Sequence, residues 1–331
     1  MNNVLVIKIG AIGDVVLSLP ILSALQGSSI TWVVGKESAP LLRATGKVNA
    51  IIIVDQYKLL HGSIFAKLAE VIKVWKKIFF QRFNLVITAH PDPRYRLLSL
   101  VCFKKNHRFF KKTQGSFPLR GVFHSLEYLQ LATDTPFNKI KWPSLILPQV
   151  AYPKKHPLIV FFPGGDRLDA GKKLRIWPIS HYVKCVELLQ NYECQCALIG
   201  LDSDKELISF FNKDFILNYI GSTTILEVLT LLKQCFCLVT HDGGALHLGR
   251  LVGCRVCGIF GPTSPQDFAW PSENEIAVCG KDPLECRPCY NGKGFTKCTH
   301  QSCMKQVNAE TVVEIIIKKW GLKLRENSTC S

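Results

Sequence analysis

Short apolar runs alternate along the chain with longer amphipathic segments, and this alternation predicts buried parallel β-strands joined by helices. In the first half of the chain, the apolar runs are Val4–Ile9, Ile30–Val34, Ile51–Val54 and Leu85–Thr88. The second half repeats the pattern in Leu158–Phe162, Cys196–Ile199, Cys237–Thr240 and Val256–Phe260. Two such sets of strands with helical crossovers predict an α/β fold made of two doubly wound, Rossmann-like halves.

A proline-rich stretch with little helical pattern separates the two halves at residues 142–157. Such composition is typical of a linker, so we place the domain boundary after residue 152. The predicted domains are residues 1–152 and residues 153–331. The second domain is predicted to close with a C-terminal helix that has Asn308 as its N-cap and ends at Gly321.

A carboxylate and two glycines follow the predicted strand Cys237–Thr240. Asp242, Gly243 and Gly244 stand between that strand and a predicted helix whose first turns contain His247. Glycine lets the backbone approach a ligand closely, and a helix N-terminus favours an anion through its N–H groups and its dipole. The turn therefore predicts a pocket for a nucleotide diphosphate.

Another glycine turn follows the first predicted strand and leads to Asp14. This turn has two of the three glycines of a dinucleotide fingerprint, and no acidic residue ends the second strand, so an NAD-dependent oxidoreductase is disfavoured. Asp14 lies in the first turn of a helix, at the sheet edge where doubly wound folds bind ligands. Taken alone, the segment leaves two interpretations open: a functional carboxylate, or one that only stabilises the helix dipole by about 0.3–1 kcal/mol.

Several segments, in their order and spacing, point to one family. They are Ile9–Pro20, Val122–Tyr128, Phe162–Gly165 with Arg175–Pro178, Asp242–Leu248 and Phe260–Thr263. Together they resemble glycosyltransferase family 9, the heptosyltransferases that build the lipopolysaccharide inner core. The resemblance runs through most of the chain, and the segment that begins at Asp242 is similar to the most diagnostic block of the family.

The resemblance implies a GT-B fold, with two Rossmann-like domains that face a central cleft. It implies inverting transfer of a heptose from ADP-heptose to a lipid-linked lipopolysaccharide core, with no cofactor or metal required for catalysis. Asp14 would be the general base, and Gly13 would lie on the acceptor side, in the N-terminal domain. Two alternatives stay open: a family member that uses another nucleotide sugar or acceptor, and one that binds a nucleotide sugar without catalysis.

The resemblance also implies which residues hold the donor in the C-terminal domain. They are Gly164, Gly165, Lys173, Arg175, Asp204, Asp242, Gly243, Gly244 and His247. Asp204 would contact the ribose, with Asp202 and Glu206 as alternatives, and His247 would donate a hydrogen bond to the nucleotide or a phosphate. His124 and His241 are interpreted as structural.

Three departures from the family pattern concern this donor side. Gly243 stands where Thr or Ser is usual, so that one hydroxyl contact to phosphate is lost. Arg175 stands where Lys is usual, which keeps the charge but changes the hydrogen-bonding geometry. The segment 166–174 is longer than usual, and Lys172 competes with Lys173 for the phosphates.

The formal net charge of +16 predicts an acidic partner. Nucleic acid is disfavoured, because the chain lacks a basic motif interleaved with aromatic residues. Residues 63–84 carry apolar side chains at helical spacing beside several lysines. These apolar residues are Phe65, Leu68, Ile72, Trp75, Phe79 and Phe83. The pattern favours an ordinary helix that covers the first sheet. The alternative is a surface that, with residues 104–105 and 108–112, rests on the anionic inner face of the inner membrane.

The N-terminus predicts a cytoplasmic protein. Lys8 and Asp14 interrupt its apolar run and no small-residue cleavage site follows, which is unlike a signal peptide. The sequence has no uncharged apolar run of about 18 residues, the length that a membrane helix needs. Most of the fourteen cysteines are therefore expected to be reduced and buried.

Four cysteines fall close together near the C-terminus: Cys286, Cys289, Cys298 and Cys303. The C-x-x-C pair is half of a typical tetrahedral zinc site, while the spacing of the second pair is looser and His300 is a competing ligand. Two interpretations stay open, a structural zinc and a set of reduced thiols. A catalytic metal is disfavoured, because four protein ligands leave no open position.

Overall fold

The computed structural model describes residues 2–110, 121–152, 156–165, 173–291 and 294–325. The chain divides into two compact units, Met1–Leu147 and Pro148–Ser331. The division precedes the predicted boundary because the intervening segment hydrogen-bonds to the second unit. The Thr230 hydroxyl donates to the Pro148 carbonyl at 3.2 Å, and the Tyr152 hydroxyl donates to the Glu227 carbonyl at 3.0 Å.

The first unit contains a five-stranded parallel sheet with the order β3-β2-β1-β4-β5. Its strands are β1 (Asn3–Ile7), β2 (Ser29–Gly35), β3 (Ala50–Val54), β4 (Arg82–Thr88) and β5 (Phe103–Phe109). The four predicted strands are found. The sequence pattern missed β5, because this edge strand has a polar sequence and pairs on one side only.

Six helices accompany the first sheet in the described residues of this unit, together with a 3₁₀-helix over Pro93–Ser99. They are α1 (Ile12–Ser18), α2 (Ile21–Ala24), α3 (Ala39–Ala44), α4 (Gln56–His61), α5 (Ile64–Ile78) and α6 (His124–Thr133). The predicted helix over residues 63–84 ends early, at Ile78. Phe80 has a left-handed φ of 53°, and Phe83 lies on β4, where it is buried.

The second unit contains a six-stranded parallel sheet with the order β11-β10-β9-β6-β7-β8. Its strands are β6 (Leu158–Phe162), β7 (Gln195–Leu198), β8 (Ile216–Asn218), β9 (Cys237–His241), β10 (Val256–Phe260) and β11 (Glu275–Cys279). The four strands expected from the apolar runs form the centre of this sheet. The two that the pattern missed, β8 and β11, lie at its edges, where fewer residues are buried.

The described helices of the second unit pack around this sheet. They are α7 (Ile179–Leu189), α8 (Ile225–Gln234), α9 (Gly244–Leu251), α10 (Pro265–Phe268), α11 (Ser302–Lys305) and α12 (Ala309–Trp320), with 3₁₀-helices at Asp202–Phe210 and Lys213–Phe215. The predicted C-terminal helix is found as α12. The Asn308 side chain accepts a hydrogen bond from the Thr311 backbone N–H at 2.8 Å, and Gly321, with φ of 76°, ends the helix.

Each sheet has one point where the order of its strands reverses. In the first sheet the chain moves outward from β1 to β3 and then returns to place β4 on the other side of β1. In the second sheet the same reversal occurs between β6 and β9. Ligands of doubly wound folds bind at the carboxyl ends of the strands beside such a reversal. The residues that follow β1, β4, β6 and β9 are therefore the candidates for ligand contact.

Two negative findings concern the described residues. None of their helices has the length and apolar character that crossing a membrane requires. Every cysteine among them carries a free thiol, as expected for a reduced protein.

Candidate functional site

Asp14 lies above a buried lysine at the strand reversal of the first sheet. Lys8 directly follows β1 and is 1% exposed, whereas the Asp14 side chain, in the first turn of α1, is about half exposed. The Lys8 ammonium lies 3.5 Å from the Asp14 carboxylate and 5.0 Å from the centre of the Tyr128 ring. Asp14 thus has a fixed cation beneath it and solvent on its other side.

The charges around Asp14 keep its carboxyl ionised. Burial acts to raise the pKa of Asp14, but the positive charge of Lys8, with smaller electrostatic contributions from His124 and His90, outweighs it, so that the pKa lies below its ordinary value. Burial lowers the pKa of Lys8, and the attraction of Asp14 opposes that shift. An ionised, partly exposed carboxylate is the state that a general base requires.

Two histidines border this carboxylate: His124, which was interpreted from the sequence as structural, and His90, which the sequence pattern did not single out. His90 follows β4, on the other side of the reversal, and burial, followed by the charge of Lys8, lowers its pKa to about 4. Its Nδ1 accepts the Asp92 backbone N–H at 3.0 Å, so the neutral ring carries its proton on Nε2. His124 begins α6, and its Nδ1 lies 2.5 Å from the buried Glu127 carboxylate.

The signal for Lys8 and His90 was present in the sequence. Lys8 interrupts the first apolar run near its end and His90 follows the fourth, and the carboxyl ends of adjacent parallel strands lie at one edge of the sheet. What the sequence could not provide was the order of the strands, which makes β1 and β4 neighbours. Gly13, expected on the acceptor side, is buried in α1 beside Asp14. Its contact with an acceptor stays a prediction.

In the second unit, Gly164 and Gly165 form a tight turn directly after β6. A Cβ on Gly164 would lie 2.1 Å from the Asp204 carboxylate, and Gly165 has φ of 139°, so the turn depends on glycine at both positions. The Asp204 carboxylate accepts the backbone N–H of Gly165 at 3.3 Å and that of Leu201 at 2.8 Å. Asp204 therefore holds the turn in place.

This arrangement bears on the predicted ribose contact. Asp204 is 1% exposed and its carboxylate is engaged by backbone N–H groups, whereas its neighbours Asp202 and Glu206 are exposed. Asp202 pairs with Lys205 at 2.6 Å. The structural role of Asp204 follows from its contacts, while its contact with a ribose stays a prediction.

Asp242 directly follows β9 and is 2% exposed. One of its oxygens, Oδ2, accepts the Thr263 hydroxyl at 2.8 Å and the Arg175 guanidinium at 3.3 Å. The other oxygen, Oδ1, is buried and has no hydrogen-bond partner among the described residues, and the same is true of Arg175 Nε. A buried polar atom without a hydrogen bond destabilises the folded protein. These two atoms beside the Gly243–Gly244 turn therefore indicate a site where a ligand would supply the missing hydrogen bonds.

Arg175 reaches this position because the residue two places later anchors its segment. Trp177 is fully buried, and its indole N–H donates to the Val307 carbonyl at 2.8 Å. The exposed Lys173 lies at the edge of the described residues, where its carbonyl accepts a bond from Gln301. Lys172 and most of the longer segment 166–174 lie outside the described residues. Among the residues that the structure describes, Arg175 is the cation that lies at Asp242.

Gly244 is the first residue of α9, and Gly243, with extended backbone, is its N-cap. Glycine has no side chain, so no side chain of the cap residue bonds to the first N–H groups of the helix. A side chain at Gly243 would meet its nearest neighbour only at 3.9 Å, so there is space beside this turn. His247, on the same helix, is 5% exposed, and its Nδ1 lies 2.8 Å from a guanidinium nitrogen of Arg250. His241 is buried and bonded to the Tyr182 hydroxyl, as expected for a structural histidine.

The four clustered cysteines lie partly at the surface. Cys286 and Cys298 are exposed, whereas Cys289 and Cys303 are half-buried. Burial and the neighbouring thiols of Cys289, Cys298 and Cys286 raise the pKa of Cys303. Within the described ranges, no three His, Cys, Asp or Glu side chains are arranged to hold a metal ion. The zinc interpretation gains no support from this arrangement and stays a prediction.

Comparison with known proteins agrees with this layout. The glycosyltransferase family 9 (heptosyltransferase) profile matches residues 107–300. The chain is 30% identical over 125 residues to lipooligosaccharide heptosyltransferase 2 of Haemophilus influenzae, which covers 36% of this chain and 35% of that protein. The matched segments span about a third to a half of the length of the curated relatives.

Solved structures match over nearly the whole chain. E. coli ADP-heptose lipopolysaccharide heptosyltransferase II superimposes with a TM-score of 0.70 at 19% identity, covering 97% of this chain and 98% of that one. E. coli heptosyltransferase WaaC with ADP gives a TM-score of 0.72 at 17% identity, over 96% and 99% of the two chains. These likenesses confirm the predicted GT-B fold. Because the family profile matches more than half of the sequence, the chain belongs to glycosyltransferase family 9.

Proposed function

We propose that this protein transfers a heptose from ADP-heptose to a sugar of the lipopolysaccharide inner core, with inversion at the anomeric carbon. The observation that supports a catalytic role is the setting of Asp14, whose partly exposed carboxylate lies 3.5 Å from a buried ammonium at a strand reversal. A protein that only binds a nucleotide sugar would not need such a group. Family membership and the printed names of the relatives support the choice of heptose and of the core acceptor.

Asp14 acts as the general base. Its carboxylate takes the proton of an acceptor hydroxyl while the oxygen of that hydroxyl bonds to the anomeric carbon of the donor. The bond from this carbon to the diphosphate breaks, and its electron pair leaves with ADP. Because the acceptor attacks opposite the leaving group, the configuration inverts. Lys8 keeps the carboxylate ionised before the step.

Asp242 and the N-terminus of α9 bind different parts of the donor. A carboxylate and a diphosphate both only accept hydrogen bonds when ionised, so the open Oδ1 of Asp242 suits a hydroxyl of the sugar and not a phosphate. The N–H groups at Gly243 and Gly244, the dipole of α9 and the Arg175 guanidinium suit the diphosphate. We therefore assign the sugar to Asp242 and the phosphates to the turn that follows it.

No metal is needed for this chemistry in our proposal. Negative charge develops on the departing diphosphate, and preorganised N–H donors with one guanidinium can stabilise it. The expected result is full activity in the presence of a chelator. Loss of activity that a divalent cation restores would overturn this part of the proposal.

The decisive experiment incubates the protein with ADP-heptose and a panel of truncated lipopolysaccharide cores, and reads the products by mass. One core should gain the mass of a heptose, and an Asp14→Asn variant should leave that core almost unmodified. Transfer from a different nucleotide sugar alone would support the alternative donor. ADP binding without transfer to any core would support a non-catalytic member of the family.

We also propose that the first unit rests on the anionic inner face of the inner membrane, where a lipid-linked acceptor lies. The α5 surface, which we define by Phe65, Leu68, Ile72, Phe79, Phe80 and Phe103, is between 38% and 79% exposed. The helix covers the sheet only with residues such as Val74 and Ile78. Phe65, Leu68, Ile72 and Phe79, which the sequence pattern also singled out, are exposed.

The positive charges around the α5 surface favour an anionic bilayer as its partner. Lys73, Lys76 and Lys77 lie exposed on the same helix, and the Arg82 guanidinium lies 6.0 Å from the Phe103 ring. Each cation near an anionic surface contributes about 1 kcal/mol at physiological salt. Of the predicted basic residues 108–112, those after residue 110 lie outside the described part of the chain.

Vesicle binding tests this surface. The protein should sediment with vesicles that contain phosphatidylglycerol more than with purely zwitterionic ones, and added salt should weaken the binding. Phe65→Ser should weaken it, whereas Phe210→Ser, at a 56% exposed phenylalanine of the second unit, serves as the matched control. Equal binding by the two variants, or no preference for anionic vesicles, would overturn the assignment.

A further inference from the structure

A buried arginine contacts the histidine that we assign to the nucleotide. Arg250, three residues after His247 on α9, has a side chain only 5% exposed. Its Nε and Nη2 donate to the two oxygens of Glu275 at 2.8 and 2.6 Å, and Nη2 also donates to the Phe268 carbonyl at 2.6 Å. Its Nη1 lies 2.8 Å from His247 Nδ1.

The chemistry of this contact fixes the state of the histidine ring. A guanidinium has donors only, so Nδ1 of His247 must be the acceptor, and the neutral ring then carries its proton on Nε2. The bidentate pairing with Glu275 holds the guanidinium plane, so Nη1 cannot turn away from the imidazole. The ring is thus set in one of its two flipped orientations and in one tautomer.

We propose that Arg250 is a positioning residue that makes His247 present its Nε2–H to the donor diphosphate. This inference rests on the proposed function, because it takes the nucleotide to bind at the Gly243–Gly244 turn. The guanidinium of Arg250 is engaged by Glu275, the Phe268 carbonyl and His247, so it acts on the ligand through His247. Glu275, at the start of β11, orients Arg250 in turn and also accepts the Trp270 backbone N–H at 3.1 Å.

The variants must avoid leaving a lone charge in the interior, because breaking a buried ion pair from one side is strongly destabilising. The double variant Arg250→Met with Glu275→Gln removes both charges and keeps an oxygen to accept the Trp270 N–H. Arg250→Lys keeps the charge and one donor. Circular dichroism and thermal unfolding establish that each variant folds before binding is measured.

The first measurement reads the ring directly, without ligand. In the wild-type protein, the ¹⁵N signals of His247 should show one tautomer, with Nε2 protonated and Nδ1 accepting. In the double variant they should shift toward an average of tautomers, and Arg250→Lys should restore most of the wild-type pattern. Unchanged ¹⁵N signals in the folded double variant would overturn the proposal.

The second measurement is a cycle of ADP affinities. Loss of a hydrogen bond to a charged group costs enough that His247→Ala should weaken binding by about tenfold or more. The double variant should weaken it several-fold, and should cause no further loss in the His247→Ala background. Equal losses in both backgrounds would mean that Arg250 acts on the fold and not through His247.

The two measurements also separate this inference from the proposed function. If the wild-type protein fails to bind ADP, the proposed function fails, while the ¹⁵N experiment still reports whether Arg250 sets the ring. If ADP binds and the cycle shows no coupling, the positioning role fails and the proposed function stands.

Discussion

The Nζ atom of Lys8 lies 3.5 Å from Oδ2 of Asp14, with the lysine buried and the aspartate about half exposed. One side of the carboxylate is thereby neutralised inside the protein, while the other stays open to a substrate. Asp14 therefore does more than stabilise the dipole of α1, because it is also the counter-ion of a buried lysine. The first two predictions test it.

Replacing Asp14 by Asn removes the base and keeps the size of the side chain. General-base catalysis contributes about 10²–10⁴-fold, so the transfer rate should fall by that factor. ADP affinity should stay near its wild-type value, because Asp14 belongs to the other unit from the donor turn. A loss of less than about tenfold would be incompatible with Asp14 as the base.

Replacing Lys8 by Met removes the charge that lowers the pKa of Asp14 and leaves the effect of burial, which raises it. The pKa of the carboxyl should therefore rise, and the acid limb of the pH–rate profile should move to higher pH. The profile of kcat between acidic and neutral pH measures this shift. An acid limb that does not move would show that Lys8 has no electrostatic effect on the base.

The Gly164→Ala variant tests how closely the Gly164–Gly165 turn packs against Asp204. The new methyl group would overlap the Asp204 carboxylate, 2.1 Å away, so the variant should lose about 1–3 kcal/mol of stability and bind ADP less tightly. Gly243→Ala is the matched control, because its methyl group would meet nothing closer than 3.9 Å. Urea unfolding of both variants measures the difference, and similar stability for the two would contradict the packing at Asp204.

His107 provides a pH-dependent contribution to stability away from the site. Burial, followed by the charges of Lys104 and Arg96, lowers its pKa from 6.5 to about 4. The unfolded chain therefore binds a proton that the folded chain does not, and stability is lost as the pH falls from 6.5 toward 4. The ring Nε2 of His107 lies 2.9 Å from the Thr88 hydroxyl, a contact that glutamine can replace. His107→Gln should therefore lose less stability than the wild type between neutral pH and about pH 5. An equal loss in both proteins would contradict the low pKa.

Thiol reactivity tests the cysteine cluster. Among the cysteines that the structure describes, Cys286 and Cys298 should react first with a thiol reagent, because they are exposed, and Cys303 should react slowly, because its pKa is raised. Metal analysis of the same sample provides the control. Unreactive thiols together with about one zinc ion per chain would instead establish the structural zinc site.

The sequence predicts the structure best in buried segments that repeat one pattern of apolar residues. Central strands such as Val4–Ile9 and Cys237–Thr240 were predicted because strands covered on both faces are apolar throughout. The edge strands β5, β8 and β11 were missed because fewer of their residues need to be apolar. Asp14, Asp242 and the glycines of the turns were identified from their positions after strands and from a family resemblance.

The sequence by itself therefore determined the two α/β halves and the segments that carry the chemistry, since periodicity and glycine turns are local properties of a chain. Only the tertiary structure decided which side chains meet. Strand order brings His90 to Asp14, packing turns Asp204 inward to hold the turn at Gly165, and the neighbouring strand β11 supplies Glu275 to Arg250. These contacts join residues far apart in sequence, and no local pattern encodes them.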